Sequence, residues 1–310
     1  MSFLLIPPGQ SLIEEIIPRL DGAAPDFSCN AVIFPGKRPS HFLRKALARR
    51  TGKSFVPPAI FSMDEFIDEV FDGIKTTRRL ETIDAVSILF DLHKSAKERL
   101  GGEGFITPDS FFPIGLKIYR DIEELYIEGI SVARVREIQP FAGEAVPEQT
   151  LKRLQSLSFF YEQFYEAVGA RGFSTRSVRY RAAAEAIGEA SLEKYSRIIC
   201  SGFFAFTESE KRLFRKLHAF DRTVFIFQDG PGVRQRVMEL GAAPEGAEAT
   251  EDGPDPGIHF YSCPDTHGQV YALSGVLGPI RERDGALDEK TAIVVPSSDA
   301  LFPLLRQNRA

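Results

Sequence analysis

Seven cations and no acid occupy the stretch between Asp26 and Asp64: Lys37, Arg38, Arg44, Lys45, Arg49, Arg50 and Lys53. In a chain whose formal net charge is -5, such a run is a local asymmetry that calls for an anionic partner. The chemistry it offers is contact with phosphates, and the candidate groups are Lys37, Arg38, Arg44, Lys45 and Arg49. Contacts of this kind ignore base sequence and weaken with salt, because each neutralised phosphate releases counterions. The same pattern also describes a solvated basic helix face, with Arg49 and Arg50 favourably placed near its C-terminal end.

A sharper reading of the same residues is a P-loop, which requires GxxxxGK[ST]. Its glycines free a loop of backbone N–H groups to cradle a nucleotide's phosphates. Gly36-Lys37 is followed by Arg38 instead of Ser or Thr, and Ala31 stands where the first Gly belongs. Gly52-Lys53-Ser54 has the right ending, but Leu47 replaces the first Gly and a helical pattern precedes it. Two further constellations fall short. His259, Cys263 and His267 recur every four residues, yet Pro264 interrupts any helix and a fourth zinc ligand is missing. Cys200-Ser201-Gly202 has Ile199 where the GxSxG nucleophile elbow needs Gly. His93 and His218 lie among helical charged residues and are expected to face solvent.

A strand, a tight turn and a helix must position the cations. Ala31 to Phe34 is a short apolar run of the kind that fills a strand buried on both faces. Pro35 and Gly36 end it, and Ser40 can cap the helix that follows. Phe42, Leu43, Ala46 and Leu47 are expected on its apolar face, with His41, Arg44, Lys45 and Arg49 on the other.

Elsewhere, Phe3 to Ile6 reads as a first strand and Ser11 to Leu20 as a helix ending near Pro18. Ser62 and Glu65 form a capping box for a helix through Phe71. From residue 78 to 190 helical patterns replace strands, at 79–100, 109–128, 148–168 and 175–189, broken by Gly101, Gly102 and Gly104 and by the segment Pro140 to Pro147. The aromatics of this block, Phe111, Phe112, Tyr119, Phe159, Phe160, Tyr161, Phe164 and Tyr165, could stack on bases, but their helical spacing suits core packing better. Strands return at 197–201, 223–227, 258–262 and 291–295, in the βαβ rhythm of a parallel sheet. The expected organisation is an α/β lobe from 1–77 and 191–240, a helical insertion at 78–190, a linker at 241–257, and the start of a second α/β lobe at 258–310 that suggests a piece of something longer.

At 310 residues, the chain has room for two domains or for one with a large insertion, and its 43% hydrophobic and 26% charged content is that of an ordinary soluble protein. Three scattered cysteines exclude a disulfide framework and fit a reducing, cytoplasmic setting. No apolar run approaches the length of a membrane span, and the start MSFLLIPPGQ lacks the basic region of a signal peptide.

Three stretches together resemble the N-terminal part of AddB-type helicase-nuclease subunits, in the branch whose first domain is a helicase fold without its ATP site. The first runs from VIFPGKRPSHFLRKALA to FVPPAIFSMDEFIDEVF, a strand, a basic turn and helix, then a Pro-containing strand and an acidic helix. The second is YSRIICSGFFAFTESE, a strand, Gly-Phe, then a helix opening on Thr207 and Glu210. The third is AIVVPSSDAL, near the start of a second helicase lobe. The resemblance covers nearly the whole chain.

The resemblance implies a degenerate RecA-like sheet interrupted by a helical subdomain, as in superfamily 1 helicases. It implies a role in double-strand-break repair and recombination, a partner AddA-type helicase subunit, and an exonuclease domain elsewhere in the longer subunit. A working helicase holds its magnesium with carboxylates at the end of the strand corresponding to 197–201. Here that position reads Ser201-Gly202-Phe203-Phe204, and Glu208 and Glu210 belong to a helix start. Pro264-Asp265 with Asp288-Glu289-Lys290 matches the letters of the family's PD-(D/E)xK nuclease, but the DEK precedes its strand and lies far from where the family carries that domain. The expectation is therefore a DNA-binding and docking module that needs no cofactor and lacks ATPase and nuclease activity of its own. A P-loop-type nucleotide-binding enzyme and a purely structural protein-interaction module are the alternatives.

Overall fold

The structure, a computed structural model, describes all residues except 1, 23–24, 97–104, 139–147, 189–191, 246–256, 285–290, 296, 299–300 and 308–310. The strand that leads into the basic turn is β2 (Asn30–Phe34), buried along its whole length. Ala31 and Ile33 enter the core on one face, while Val32 and Phe34 enter the core on the other. That is why this strand shows an unbroken apolar run where a half-exposed strand would alternate.

Around it lie β1 (Ser2–Ile6), β3 (Ala59–Ser62), β6 (Arg197–Ser201), β7 (Thr223–Gln228) and β8 (Pro244–Glu245). They form one six-stranded sheet in the order β3-β2-β6-β7-β1-β8. Every ladder in it is parallel. β1 and β2 follow each other in the chain but are separated in the sheet by β6 and β7, unlike the order 3-2-1-4-5-6 of dinucleotide-binding folds. β8 falls inside the stretch 241–257 that reads as a linker in the sequence, and 246–256 of that stretch lie outside the described residues.

Helices cover both faces. On one side α1 (Leu12–Ile16) and α2 (Arg38–Thr51) bury Ile16, Leu43 and Leu47 against Val32, Phe34, Ile199 and Ile226. On the other, α3 (Met63–Asp72), α8 (Arg176–Ala186), α9 (Glu208–His218) and α10 (Val233–Glu239) bury Phe66, Tyr180, Phe214 and Val237 with Phe3, Phe225 and Phe227. Each fully buried Phe or Leu side chain in these layers contributes about 1.5–3 kcal/mol relative to exposure. The expected capping boxes form at both Ser62 with Glu65 and Thr207 with Glu210.

The connection from β3 to β6 contains the helical block, so one parallel sheet is interrupted. The short strands β4 (Arg78–Arg79) and β5 (Phe173–Ser174) pair at its root and bring its two ends together. Between them are α4 (Thr82–Ser95), α5 (Pro108–Ile127), α6 (Val132–Ile138) and α7 (Glu148–Ala170). This block has its own core, built on Leu89, Phe111, Ile118, Ile122, Phe160 and Phe164. A Cβ at Gly115 would stand 2.5 Å from Phe111 Cε1 and 2.9 Å from Val86 Cγ1, so glycine here makes room both for the buried Phe111 ring and for α4. Of the aromatics with a possible stacking role, Phe112 is exposed and the others are buried or partly buried. His93, expected to face solvent, is instead buried and stacked on Phe111 at 5.0 Å. His218 is partly buried beside Phe3.

The last helical pattern of that block, α8, packs Tyr180, Ala183 and Ala184 into the core of the sheet. Its N-terminus is held from the insertion, because the Glu123 carboxylate of α5 accepts from Ser177 N at 3.1 Å and Ser177 Oγ at 2.6 Å.

Residues Met1–Ala249 form one compact unit and Thr250–Ala310 a second. The second contains α11 (Thr266–Asp284) and α12 (Leu301–Gln307). The sequence patterns predict strands at 258–262 and 291–295. Both stretches instead lack strand pairing where they are described, and Phe260 and Val294 within them are largely exposed. Two isolated apolar runs cannot make a sheet face without further partners. Among the described residues no helix is long and apolar enough to cross a membrane.

Candidate functional site

The basic helix α2 starts earlier than its sequence suggests. Lys37 is the N-cap, Pro39 fits the first turn, and Ser40 lies inside, its Oγ donating to Lys37 O at 2.6 Å. Proline's fixed φ pre-forms the first helical turn, so the helix starts ahead of Ser40 without a side-chain cap. Gly52, in the left-handed conformation at φ 65°, ends the helix by donating to Ala48 O at 3.0 Å.

Only Leu43 and Leu47 of this helix are buried. Phe42, expected on the same apolar face, is 57% exposed. At 3.6 residues per turn it falls about 100° from Leu43 and faces the same way as Arg38, Lys45 and Arg49. Arg44 lies on the opposite flank of the exposed surface. Arg38, Arg44, Lys45 and Arg49 are all exposed, and none has an ion-pair partner among the described residues.

Lys37 differs from the other four. Its Nζ is 2.8 Å from Glu65 Oε1. The other oxygen of that carboxylate accepts from Ser62 N at 2.9 Å and Ser62 Oγ at 2.8 Å, closing the cap of α3. The hydrogen bond from Lys37 leads the groups that hold the Glu65 carboxyl down at about 2, and Glu65 in turn raises the Lys37 ammonium. The structure thus divides the five expected contacts into one internal tie and four open cations.

All β-to-α turns of a parallel sheet emerge at one edge, which is where such folds bind ligands. Here the turn after β2 meets the loop after β6 and the start of α1. Gly202, at φ 78°, sits so that a Cβ there would be 3.5 Å from Leu12 Cδ1 and 3.9 Å from Pro35 Cδ. The loop after β1, Pro7 to Ser11, lies at the same edge, and no motif in the sequence marks it. Pro7 and Pro8 have no N–H, and Gln10 N donates to Pro7 O at 3.0 Å. Gln228, at the end of the neighbouring β7, donates its Nε2 to Pro8 O at 3.2 Å and to Gln10 O at 3.0 Å. This loop therefore turns the Pro8 and Gln10 carbonyls to a side-chain clamp and spends its Gln10 N–H inside the turn.

Asp229, the next residue, is the carboxylate that sequence reasoning missed. It follows β7, the neighbour in the sheet of the strand whose end lacks an acid. Its side chain is buried, accepts from Gly230 N at 2.9 Å, and pairs with Arg234 Nη2 at 2.8 Å. An acid directly after an apolar strand was the available signal, but its pairing with a cation on α10 was not.

The remaining candidates separate. Asp265 accepts from Gly268 N at 2.7 Å at the start of α11, while Asp288, Glu289 and Lys290 lie outside the described residues. His259 and Cys263 precede α11 and His267 lies within it. No group of three or more potential metal ligands gathers among the described residues. Cys200 is fully buried, which pushes its thiol far up. Comparison with protein-family models and with curated proteins gave no match.

Proposed function

We propose that this chain is a non-catalytic nucleic-acid-binding module on a degenerate RecA-like, helicase-like scaffold. It would correspond to the N-terminal part of an AddB-type helicase-nuclease subunit, holding DNA and docking against a helicase partner of AddA type. The observation that carries the reading is the set of open cations on α2. Arg38, Arg44, Lys45 and Arg49 project into solvent from a helix that has no acid of its own. In a chain of net charge -5, unneutralised cations held on a rigid 14-residue helix form a fixed field for phosphates.

Two observations support the scaffold and its loss of nucleotide chemistry. A single parallel sheet is interrupted by a separately cored helical block, as the family resemblance implies. The loops at its binding edge use their polar groups internally: Gln228 clamps the Pro7–Gln10 turn, Arg234 neutralises Asp229, and Glu65 takes Lys37.

The test is the salt dependence of DNA affinity, followed by anisotropy. Duplex binding should weaken steeply with salt. Reversing Arg44 and Lys45 to Glu should flatten log Kd against log salt by about 0.9 for each phosphate that is no longer neutralised. An unchanged slope rules α2 out as the contact, and binding to a partner subunit without any DNA binding favours a purely structural module. The other reading is a P-loop-type enzyme with Lys37 or Lys53 on the phosphates, against which Arg234 already pairs with Asp229 and Glu65 with Lys37. Saturable Mg-ATP binding that disappears in Lys37→Ala or Lys53→Ala would establish that instead.

A further inference from the structure

Among the cations of α2 stands one aromatic ring that is more than half exposed. Phe42 is 57% exposed, and no other ring or cation of the described residues is in contact with it. Arg38, Lys45 and Arg49 are at i−4, i+3 and i+7 from it, so all four side chains share one face. This stripe rises about 16 Å along the helix, at 1.5 Å per residue. The buried seam of Leu43 and Leu47 lies to one side of it.

An exposed ring set between unpaired cations has two complementary needs. The cations need anions at intervals along the helix, and the ring needs a flat apolar face. A strand of unpaired nucleotides supplies both at once, since its phosphates repeat along a backbone and every base has a π-face. A duplex supplies only phosphates, because its bases are already stacked on each other. An acidic protein surface also supplies charge without a planar group at each repeat.

We infer that α2 is a single-strand-binding element in which Phe42 stacks on a base while Arg38, Lys45 and Arg49 hold the flanking phosphates. The inference rests on the proposed phosphate contacts of α2 and adds the chemical class of the ligand: unpaired bases on a phosphodiester backbone. It assigns discrimination between single strand and duplex to one side chain that carries no charge. Phe42 belongs to none of the buried hydrophobic clusters, so Phe42→Ala spares the core residues that hold α2, Leu43 and Leu47.

The experiment titrates the full chain against three labelled probes of one length: oligothymidylate, an abasic deoxyribose-phosphate strand and a DNA duplex. Phe42→Ala should weaken oligothymidylate binding roughly 5- to 150-fold, the range for removal of one base–aromatic stack. Affinity for the abasic strand and the duplex should stay within about twofold, and Phe42→Trp should retain oligothymidylate binding. Unchanged oligothymidylate affinity in Phe42→Ala overturns the inference. So does an equal loss on the abasic strand, or capture of poly-glutamate with the same sensitivity to Phe42→Ala. Arg38→Glu with Lys45→Glu separates the two levels. If that pair weakens all three probes while Phe42→Ala is silent, the phosphate contacts stand and only the stacking falls. If neither set of changes alters binding, the α2 reading falls too.

Discussion

Glu65 shows how closely structure and candidate site are joined at the residue scale. It caps α3 through Ser62 and ties Lys37, the first residue of the basic stretch, to the same point. Its carboxyl is held at about 2, below the ordinary 4.5, so the charged form is the one that stabilises the fold. That contribution is complete above about pH 4.5 and fades as pH falls towards about 2. The difference in unfolding free energy between the native protein and Glu65→Gln should therefore be flat from about pH 5 to 8 and shrink to nothing below about pH 2. Urea titrations at stepped pH measure it, and a gap that persists in acid means the cap does not depend on the charge. The Ser62–Glu65 box was legible in the sequence because its partners are three residues apart. Lys37 as the third member was not, since it depends on the parallel register of β2 with β3. Likewise, a helical wheel centred on four apolar residues puts Phe42 inside, whereas α2 buries only the narrower seam of Leu43 and Leu47.

At the element scale, α8 joins the insertion to the sheet. Arg179 is nearly fully buried between two acids of α3, 2.5 Å from Asp68 and 2.6 Å from Asp72, with its guanidinium 4.5 Å over the Phe71 ring. Removing the cation leaves Asp72 without this partner and Asp68 with only Arg79, 3.2 Å away, although Asp72 is 64% exposed and water relieves part of the cost. Arg179→Ala should destabilise the protein by about 1–3 kcal/mol, read as a lower urea midpoint, while Arg179→Lys should recover only part of the loss. No change in midpoint would mean that α8 is held by its apolar face alone. The helical nature of α4, α5, α7 and α8 was legible from periodicity and breakers. α6 is a seven-residue helix, too short for its period to stand out. The pair β4–β5 has two residues on each side and joins Arg78 to Phe173, which no local pattern encodes. For the same reason the Gln228 clamp, which spans 220 positions to Pro8, was invisible until the strands were ordered.

For the whole molecule, the βαβ rhythm revealed a parallel sheet and the change of periodicity revealed its interruption. The order β3-β2-β6-β7-β1-β8 was beyond the sequence, because parallel crossovers of similar length are compatible with several orders. That order places the Pro7–Ser11 loop beside the end of β7 and so identifies the edge where a nucleotide would bind in a fold of this class. The sequence patterns at 258–262 and 291–295 are apolar enough for strands, but a strand is stable only with a neighbour, and neither stretch has one among the described residues. The proposed function has α2 hold the phosphates of a nucleic acid and predicts no triphosphate at the loops after β1 and β7. Amide hydrogen exchange of the full chain, alone, with oligothymidylate and with Mg-ATP, tests both halves in one measurement. The expected result is that the oligonucleotide slows exchange in peptides covering 35–52, and that Mg-ATP changes neither 7–11 nor 229–234. Protection of 7–11 and 229–234 by Mg-ATP, or exchange in 35–52 that the oligonucleotide leaves unaltered, contradicts it.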